Sequence, residues 1–446
     1  MTLLYNGTLV NEGTVASGYV AIDGEMISEV GLGAPSDALI SEASEAIDLD
    51  GDYIMPGVID DQVHFRDPGL THKADIISES RAALAGGVTS FMDMPNTIPQ
   101  TVTIEALEDK YRHAADESRV NYSFYMGATN DNLAELERVD FSKVCGVKAF
   151  LGSSTGNMLM DDSSALRRLF SEVDAIIAIH SEDEAIIRAN RQLYQAKYGN
   201  DIPVAMHPLI RSAEACYECT ARTIEMASQC GSRLHVLHLS TAKELSLFDD
   251  RPLTQKKITA EVCVHHLWFY DSAYATLGSR IKCNPAIKTA NDRDALREAL
   301  RQGKLDVVAT DHAPHLLSEK TGGALQAASG MPLVQFSLVA MLEMAEQGIF
   351  SLSQVVDKMC HAPATLFHIR KRGFLRKGYF ADIVVVHRSK QGHVITDDDV
   401  VSKCRWTPFA GVTMHNSVSR TYVNGTLAFH DGVINDNSRG SRLLFN

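Results

Sequence analysis

The sequence predicts an α/β protein, a (β/α)8 TIM-type barrel with a small composite β domain formed by the N- and C-terminal segments. Three observations carry that prediction. Eight short apolar runs alternate with stretches of helical period through the middle of the chain. Metal-type residues stand at the downstream ends of several of those runs, at His64, Lys148, His180, His238 and Asp311. The two ends of the chain share another texture, short β-like segments broken by Asn-Gly and Asp-Gly turns.

Residues 1–53 read as LLYNGTLV, SGYVAIDGEMISEVG and EAIDLDGDYIMPG, with hairpin turns expected at Asn6-Gly7 and Asp23-Gly24. Residues 370–446 return to that texture with ADIVVVHRSK and SVSRTYVNGTLAFHDGVI, turning at Asn424-Gly425. Neither end alone holds enough strands for a stable sheet, so the two are expected to pair into one. Residues 54–369 then make the barrel, a length that suits a fold of about 250 residues with insertions. Its strands are expected at IMPGVIDDQVHF, TSFMDMP, YSFYMGA, CGVKAFL, AIIAIHS, LHVLHLS, ITAEVCVHH and DVVATDH. Helices are expected at IISESRAALAG, LRRLFSEV and SAEACYECTARTIEMASQC. Apolar strands between helices fit a parallel sheet covered on both faces. The polar, glycine-rich stretch 321–330 reads as a loop over the active face.

Charge narrows the function classes. With 42 basic against 56 acidic residues the net charge is −14, which argues against a nucleic-acid or anionic-membrane surface. An anionic small-molecule substrate would need a local cationic pocket. No apolar stretch is long enough to span a bilayer, and MTLLYNGTLVNEG lacks the basic start and long apolar core of a signal peptide. Eight cysteines without framework spacing suit reduced thiols, so a soluble cytoplasmic protein is expected. Cys216 and Cys219 form a C-x-x-C, but in a helical stretch with no second pair they read as ordinary helix positions.

Ligand-type residues at the exits of separate strands are what a barrel enzyme uses to build a metal centre on its C-terminal face. Strand alternation would turn Gln62, His64 and Arg66 to one side. Lys148, inside the apolar run CGVKAFL, is either ion-paired or an amine whose lowered pKa lets it react with CO2, giving a carbamate able to bridge two ions. His180 and His238 each end an apolar run and offer neutral imidazole. His235, three positions from His238, is expected on the opposite face, and His265 and His266 read as packing or support. Asp311 can both ligate a metal and exchange a proton with bound water. Arg66 offers a planar fork for a carboxylate, and Asn96, Asn284 and His315 add amide and imidazole recognition.

These pieces resemble one family, the dihydroorotases of the amidohydrolase superfamily. The matching motifs are DQVHFRDPG, MPNT, GVKAFLGSSTGNM, HSE, LHLSTA, EVCVHH, NPAIK and ATDHAPH, in family order across nearly the whole barrel. The resemblance implies reversible cyclisation of N-carbamoyl-L-aspartate to L-dihydroorotate in pyrimidine biosynthesis, by a metal-activated hydroxide with Asp311 as general acid and base. It implies one or two zinc ions held by His64, carboxylated Lys148, His180, His238 and Asp311. Arg66, Asn96, Asn284, His315, Ser329 and Gly330 would bind substrate, and a homo-oligomer is expected. The chain departs from the family at Gln62, where the usual pattern is His-x-His. A glutamine carbonyl is a weaker donor to zinc than imidazole, so Gln62 would ligate weakly or leave one ion position loose. RWTPFAG at 405–411 also differs slightly and is expected to lie away from the chemistry. Two other readings stay open: a non-catalytic subunit that supports a pathway partner, motivated by Gln62, and a cyclic amidase for hydantoins, dihydropyrimidines or allantoin, which Arg66 argues against.

Overall fold

The computed structural model describes residues 1–152 and 158–446. The SSTGN part of the motif GVKAFLGSSTGNM lies outside the described residues.

Eight parallel strand positions make the barrel: Val58–Val63, Val88–Asp93, Asn121–Phe124 continued by Met126–Gly127, Val147–Phe150, Ile176–His180, Arg233–Val236, Ile258–Cys263 and Val307–Ala309. All eight predicted runs therefore supply a strand. The ring closes where Val63 bridges His312 in parallel and the His64 amide donates to the His312 carbonyl at 2.7 Å. Two runs are interrupted. The first divides at Gly57, because Tyr53–Pro56 pairs with the small sheet and only Val58–Val63 enters the barrel. A side chain at Gly57 would collide with Thr89, 2.1 Å from its Oγ1, so the chain can pass this corner only as glycine. The third run breaks at Tyr125, whose hydroxyl donates to the Asp61 carbonyl at 3.1 Å.

The intervening helices start on side-chain caps. Asp75 forms a capping box before Ile76–Ala85, Asp183 caps Glu184–Tyr198, and Ser212 caps Ala213–Cys230. Cys216 and Cys219 lie within that last helix, buried and free, as the sequence suggested. Ala362, Ala364 and Phe367 pack with Ile59, Ile176 and Val307 where the strands begin, so this end of the barrel is filled and the other is the mouth. No helix among the described residues is long and apolar enough to cross a membrane.

The chain ends do share one sheet. Its order runs Val433–Ile434, Thr426–His430, Thr413–Val423, Ile383–Val394, Tyr53–Pro56, Thr2–Asn11, Thr14–Asp23 and Met26–Leu32, with Glu45–Asp48 also on Thr2–Asn11. Its C-terminal and N-terminal parts meet where Ile383–Val394 pairs antiparallel with Tyr53–Pro56. Asn424 and Gly425 both take positive φ (49° and 75°) in a tight hairpin, as expected. Asn6-Gly7 does not turn the chain. The strand runs through it with a register shift, and the hairpin falls instead at Glu12-Gly13. Asn6 takes the left-handed conformation of a bulge, and Ile54 lies too close to Gly7 for a side chain there.

Candidate metal centre

The strand exits converge on a cavity of about 760 Å³ at the barrel mouth, within the range of small-molecule sites. Every residue singled out from the sequence lines it: Gln62, His64, Arg66, Asn96, Lys148, His180, His238, Asn284, Asp311, His315, Ser329 and Gly330. Gln62, His64 and Arg66 do share this cavity, but not by simple alternation. The strand ends at Val63, and Arg66 stands in a left-handed turn with φ 68°. His238 (φ 41°) and Asp311 (φ 47°) turn in the same way, so the chain leaves three of the barrel strands through a left-handed residue at the cavity.

Two groups of donors face the cavity. In one, His64 Nδ1 meets the Asn96 amide oxygen at 2.9 Å, which makes Nδ1 the protonated nitrogen. His64 Nε2 stands 3.1 Å from Asp311 Oδ1, a spacing that suits an ion pair or two ligands on one cation. In the other, His180 Nδ1 and His238 Nε2 stand 3.0 Å apart. Burial lowers the pKa of both rings, with the Lys148 charge adding to it, so both present neutral imidazole. Neutral rings at this distance share an N–H···N hydrogen bond, and the same two nitrogens have the spacing of two ligands on one cation.

Lys148 lies between these groups in sequence and lines the same cavity. It is 1% exposed, lies 4.7 Å over the Phe150 ring, and has neither hydrogen bond nor ion pair among the described residues. Burial lowers its pKa to about 7, with Asp311 and Glu261 opposing. The ion-paired reading is thereby set aside, and a free amine exists near neutral pH.

Gln62 behaves as a donor. Its Nε2 lies 3.3 Å from Asp311 Oδ1, and its Oε1 is turned to the Cys263 thiol at 3.9 Å. The Asp311 carboxylate accepts from the amide nitrogen, while the Cys263 thiol has a nearer acceptor in Glu261 Oε1 at 3.3 Å. The amide nitrogen, which has no lone pair for a cation, is thus the atom turned to Asp311.

The opposite wall carries Arg66 and Lys73, and Lys73 is paired with Glu319 at 3.0 Å. Arg66 Nη2 lies 3.1 Å from His315 Nε2, and Lys73 Nζ lies 3.2 Å from Nδ1 of the same ring. Burial, with Arg66, Lys73 and Lys320 close by, lowers the His315 pKa to about 2, so the ring is neutral. The 321–330 loop closes this wall. Lys320 Nζ ties its end by donating to the carbonyls of Ala328, Gly330 and Lys282 at 2.7 to 2.9 Å. Gly330 has φ 137°, and a side chain there would meet the Ala313 carbonyl at 2.5 Å. Asn284 Oδ1 is held by His207 Nε2 at 3.1 Å.

Two expectations are corrected. RWTPFAG is not remote, since Trp406 Nε1 donates to the His315 carbonyl at 2.7 Å. His235 does not face outward. It points into the barrel, 3.3 Å from Asp61, because the left-handed turn at His238 breaks the alternation on which the opposite-face reading relied. His266 is a packing residue anchored to the Pro285 carbonyl at 3.1 Å, and His265 is fully buried beside it. Sequence reasoning passed over Glu182, which lies 2.9 Å from His180 Nε2 and is locked to Arg211. Its carboxyl is held low despite burial, by the Arg211 charge and His180. A carboxylate two residues after a ligand-type histidine was the available signal.

The sequence profile of the Amidohydrolase family matches residues 53–428. The chain belongs to the amidohydrolase family. Among other amidohydrolases it is 35% identical over 428 residues to the dihydroorotase of Halobacterium salinarum, covering 94% of this chain and 95% of that one. It is also 32% identical over 403 residues to the allantoinase of Streptomyces avermitilis, covering 89% of each. The solved L-hydantoinase (dihydropyrimidinase) of Arthrobacter aurescens superposes with a TM-score of 0.91 at 25% identity, covering 97% of both chains. Family membership and these relatives support a hydrolase acting on cyclic amides.

Proposed function

We propose that this amidohydrolase is a zinc-dependent dihydroorotase, interconverting N-carbamoyl-L-aspartate and L-dihydroorotate in pyrimidine biosynthesis. The observation that carries this reading is the cationic wall opposite the metal donors. Arg66 is buried beside a neutral His315 and next to Lys73, a pocket for one carboxylate within reach of the centre. A neutral hydantoin or allantoin ring has no such group to place there. The dihydroorotase relatives, the first of them 35% identical, support the same choice.

His180, His238, His64, Asp311 and a carboxylated Lys148 would hold the zinc. When bound, zinc polarises a carbonyl and makes hydroxide available near neutral pH. The chain's own residues do the rest. Arg66 grips the substrate carboxylate, and Asn96 and Asn284 orient the ring from either side. Asp311 Oδ1 takes a proton and returns it to the ring nitrogen as the amide opens, and the reverse path uses it as base. Ser329 and Gly330 cover the ring. Because Gln62 offers a hydrogen-bond donor, the His180–His238 side would hold one ion firmly and the His64–Asp311 side a second only loosely. The same Gln62 favours a second reading, a non-catalytic subunit.

The test is to assay zinc-loaded protein with dihydroorotate, carbamoyl aspartate, hydantoin, dihydrouracil and allantoin while counting bound metal. Turnover of the two carboxylated compounds alone is expected. Turnover of a neutral ring without dihydroorotate would sink the proposal, and full zinc with no turnover at all would favour the non-catalytic reading.

A further inference from the structure

One layer below the mouth, three buried side chains from three strands point at one another inside the barrel. Asp61 comes from Val58–Val63, His235 from Arg233–Val236 and Glu261 from Ile258–Cys263. None of them lines the mouth cavity, and all are 0% exposed. His235 Nε2 lies 3.3 Å from Asp61 Oδ2 and 3.9 Å from Glu261 Oε2, and one ligand atom from each of the three lies within 4.8 Å of the others.

The polar atoms of this cluster are not satisfied by protein. Both Asp61 carboxylate oxygens, His235 Nε2 and Glu261 Oε2 are buried without a hydrogen-bond partner. The remaining atoms are spoken for. His235 Nδ1 meets the Thr259 hydroxyl at 2.9 Å, and Glu261 Oε1 accepts from the His238 amide at 2.9 Å. These bonds aim the unsatisfied atoms inward. No lysine or arginine pairs with either carboxylate among the described residues. The surroundings are dry, with the Phe367 ring edge-on to both His235 and Tyr125.

Ionising both buried carboxylates side by side, with only His235 between them, costs several kcal/mol for each charge left unmatched. A divalent ion removes that cost in one step. Zinc bonds to oxygen and imidazole nitrogen are roughly 2.0–2.2 Å, so ligand atoms on one tetrahedral ion stand roughly 3.3–3.6 Å apart. The 3.3 Å pair has that spacing, and the 3.9 Å pair needs to close by only a few tenths of an ångström. Two carboxylates and one imidazole form a mixed oxygen and nitrogen set of the kind zinc accepts. We propose that Asp61, His235 and Glu261 supply three ligands of a further zinc site inside the barrel, structural in role and separate from the centre at the mouth. It would pin the first strand to the sixth and seventh beneath the catalytic face, next to the position where Gln62 gives the mouth little metal binding.

Zinc-edge anomalous diffraction from crystals of the full chain prepared with zinc tests this, alongside zinc counting on Asp61→Asn and His235→Gln. An anomalous peak is expected among the three side chains, distinct from any at the mouth. Each variant that keeps the wild-type circular dichroism spectrum is expected to lose one zinc per chain. Anomalous density confined to the mouth, or none at all, overturns the proposal, as does an unchanged zinc count in a folded variant. The diffraction result decides the matter on the unaltered chain even where both variants fail to fold, and it does so whatever the substrate proves to be.

Discussion

On one side of the mouth, His180 and His238 bring two neutral imidazoles to 3.0 Å, with Glu182 and Arg211 bracing the first of them from behind. On the other, His64 and Asp311 face each other at 3.1 Å, and the place beside them holds Gln62, whose amide nitrogen points at Asp311. The first side is a pair of lone-pair donors with a buried support. The second is one donor and one carboxylate that already has a hydrogen-bond partner. The difference teaches how metal binding and proton transfer can be divided between the two sides: affinity rests with the imidazole pair, and the acid–base group stands on the weaker side.

The sharpest way to break that division is Asp311→Asn. It keeps the size of the side chain and removes its proton-carrying oxygen. The kcat with dihydroorotate is expected to fall by about 10²–10⁴-fold. Zinc at the mouth should stay near one ion per chain, held by the imidazole side. Loss of all zinc from the mouth in this variant would show that both sides bind as one unit.

Lys148 tests what joins the two sides. Its pKa in the native chain is about 7, against roughly 10.4 in an unfolded one. Below about pH 7 both states are protonated, and the native state bears the whole cost of a buried ammonium. Between the two values the unfolded state binds more protons, so stability rises with pH, and above about 10.4 the cost has gone. In metal-free protein, Lys148→Met should therefore stabilise the fold most below pH 7, by up to about 5 kcal/mol in chemical denaturation, with the gap closing toward pH 10. A gap independent of pH would mean that the amine is not buried as a charge.

Much of this was legible in the sequence, for particular reasons. The eight strands could be read because each is an apolar run between helices, and His64, Lys148, His180, His238 and Asp311 because each stands at or near the end of such a run, whereas Ser329 and Gly330 came from the family resemblance alone. What escaped depended on local backbone geometry. The break at Gly57 is set by Thr89, a contact from the next strand. Asn6-Gly7 has hairpin composition, yet the same left-handed preference serves a bulge. The inward face of His235 follows from a positive φ at His238, which no periodicity reveals. Asp61 and Glu261 looked like ordinary acidic residues within strands until three strands brought them together.

Gln62→His would erase the asymmetry. An imidazole at position 62 replaces a hydrogen-bond donor with a lone pair beside His64 and Asp311. The second zinc is expected to bind about 10- to 100-fold more tightly, measured by zinc titration against a competing chelator. Unchanged affinity would mean that the His64–Asp311 side is limited by something other than residue 62.

The smallest effect belongs to a residue that touches neither side of the centre. Trp406 Nε1 donates to the His315 carbonyl at 2.7 Å, and the Lys320 ammonium lies 5.7 Å over the indole. Through that bond the small sheet's approach to the barrel fixes the backbone of His315, and so the position of its ring beside Arg66. Trp406→Phe keeps most of the buried surface and removes one neutral hydrogen bond, worth about 0.5–1.5 kcal/mol. The KM for dihydroorotate should rise by about 2- to 10-fold with kcat little changed, because the affected contact grips substrate and carries no proton. A fall in kcat at constant KM would instead place Trp406 in service of the metal side, and would mean that the carboxylate wall and the metal donors are not independent.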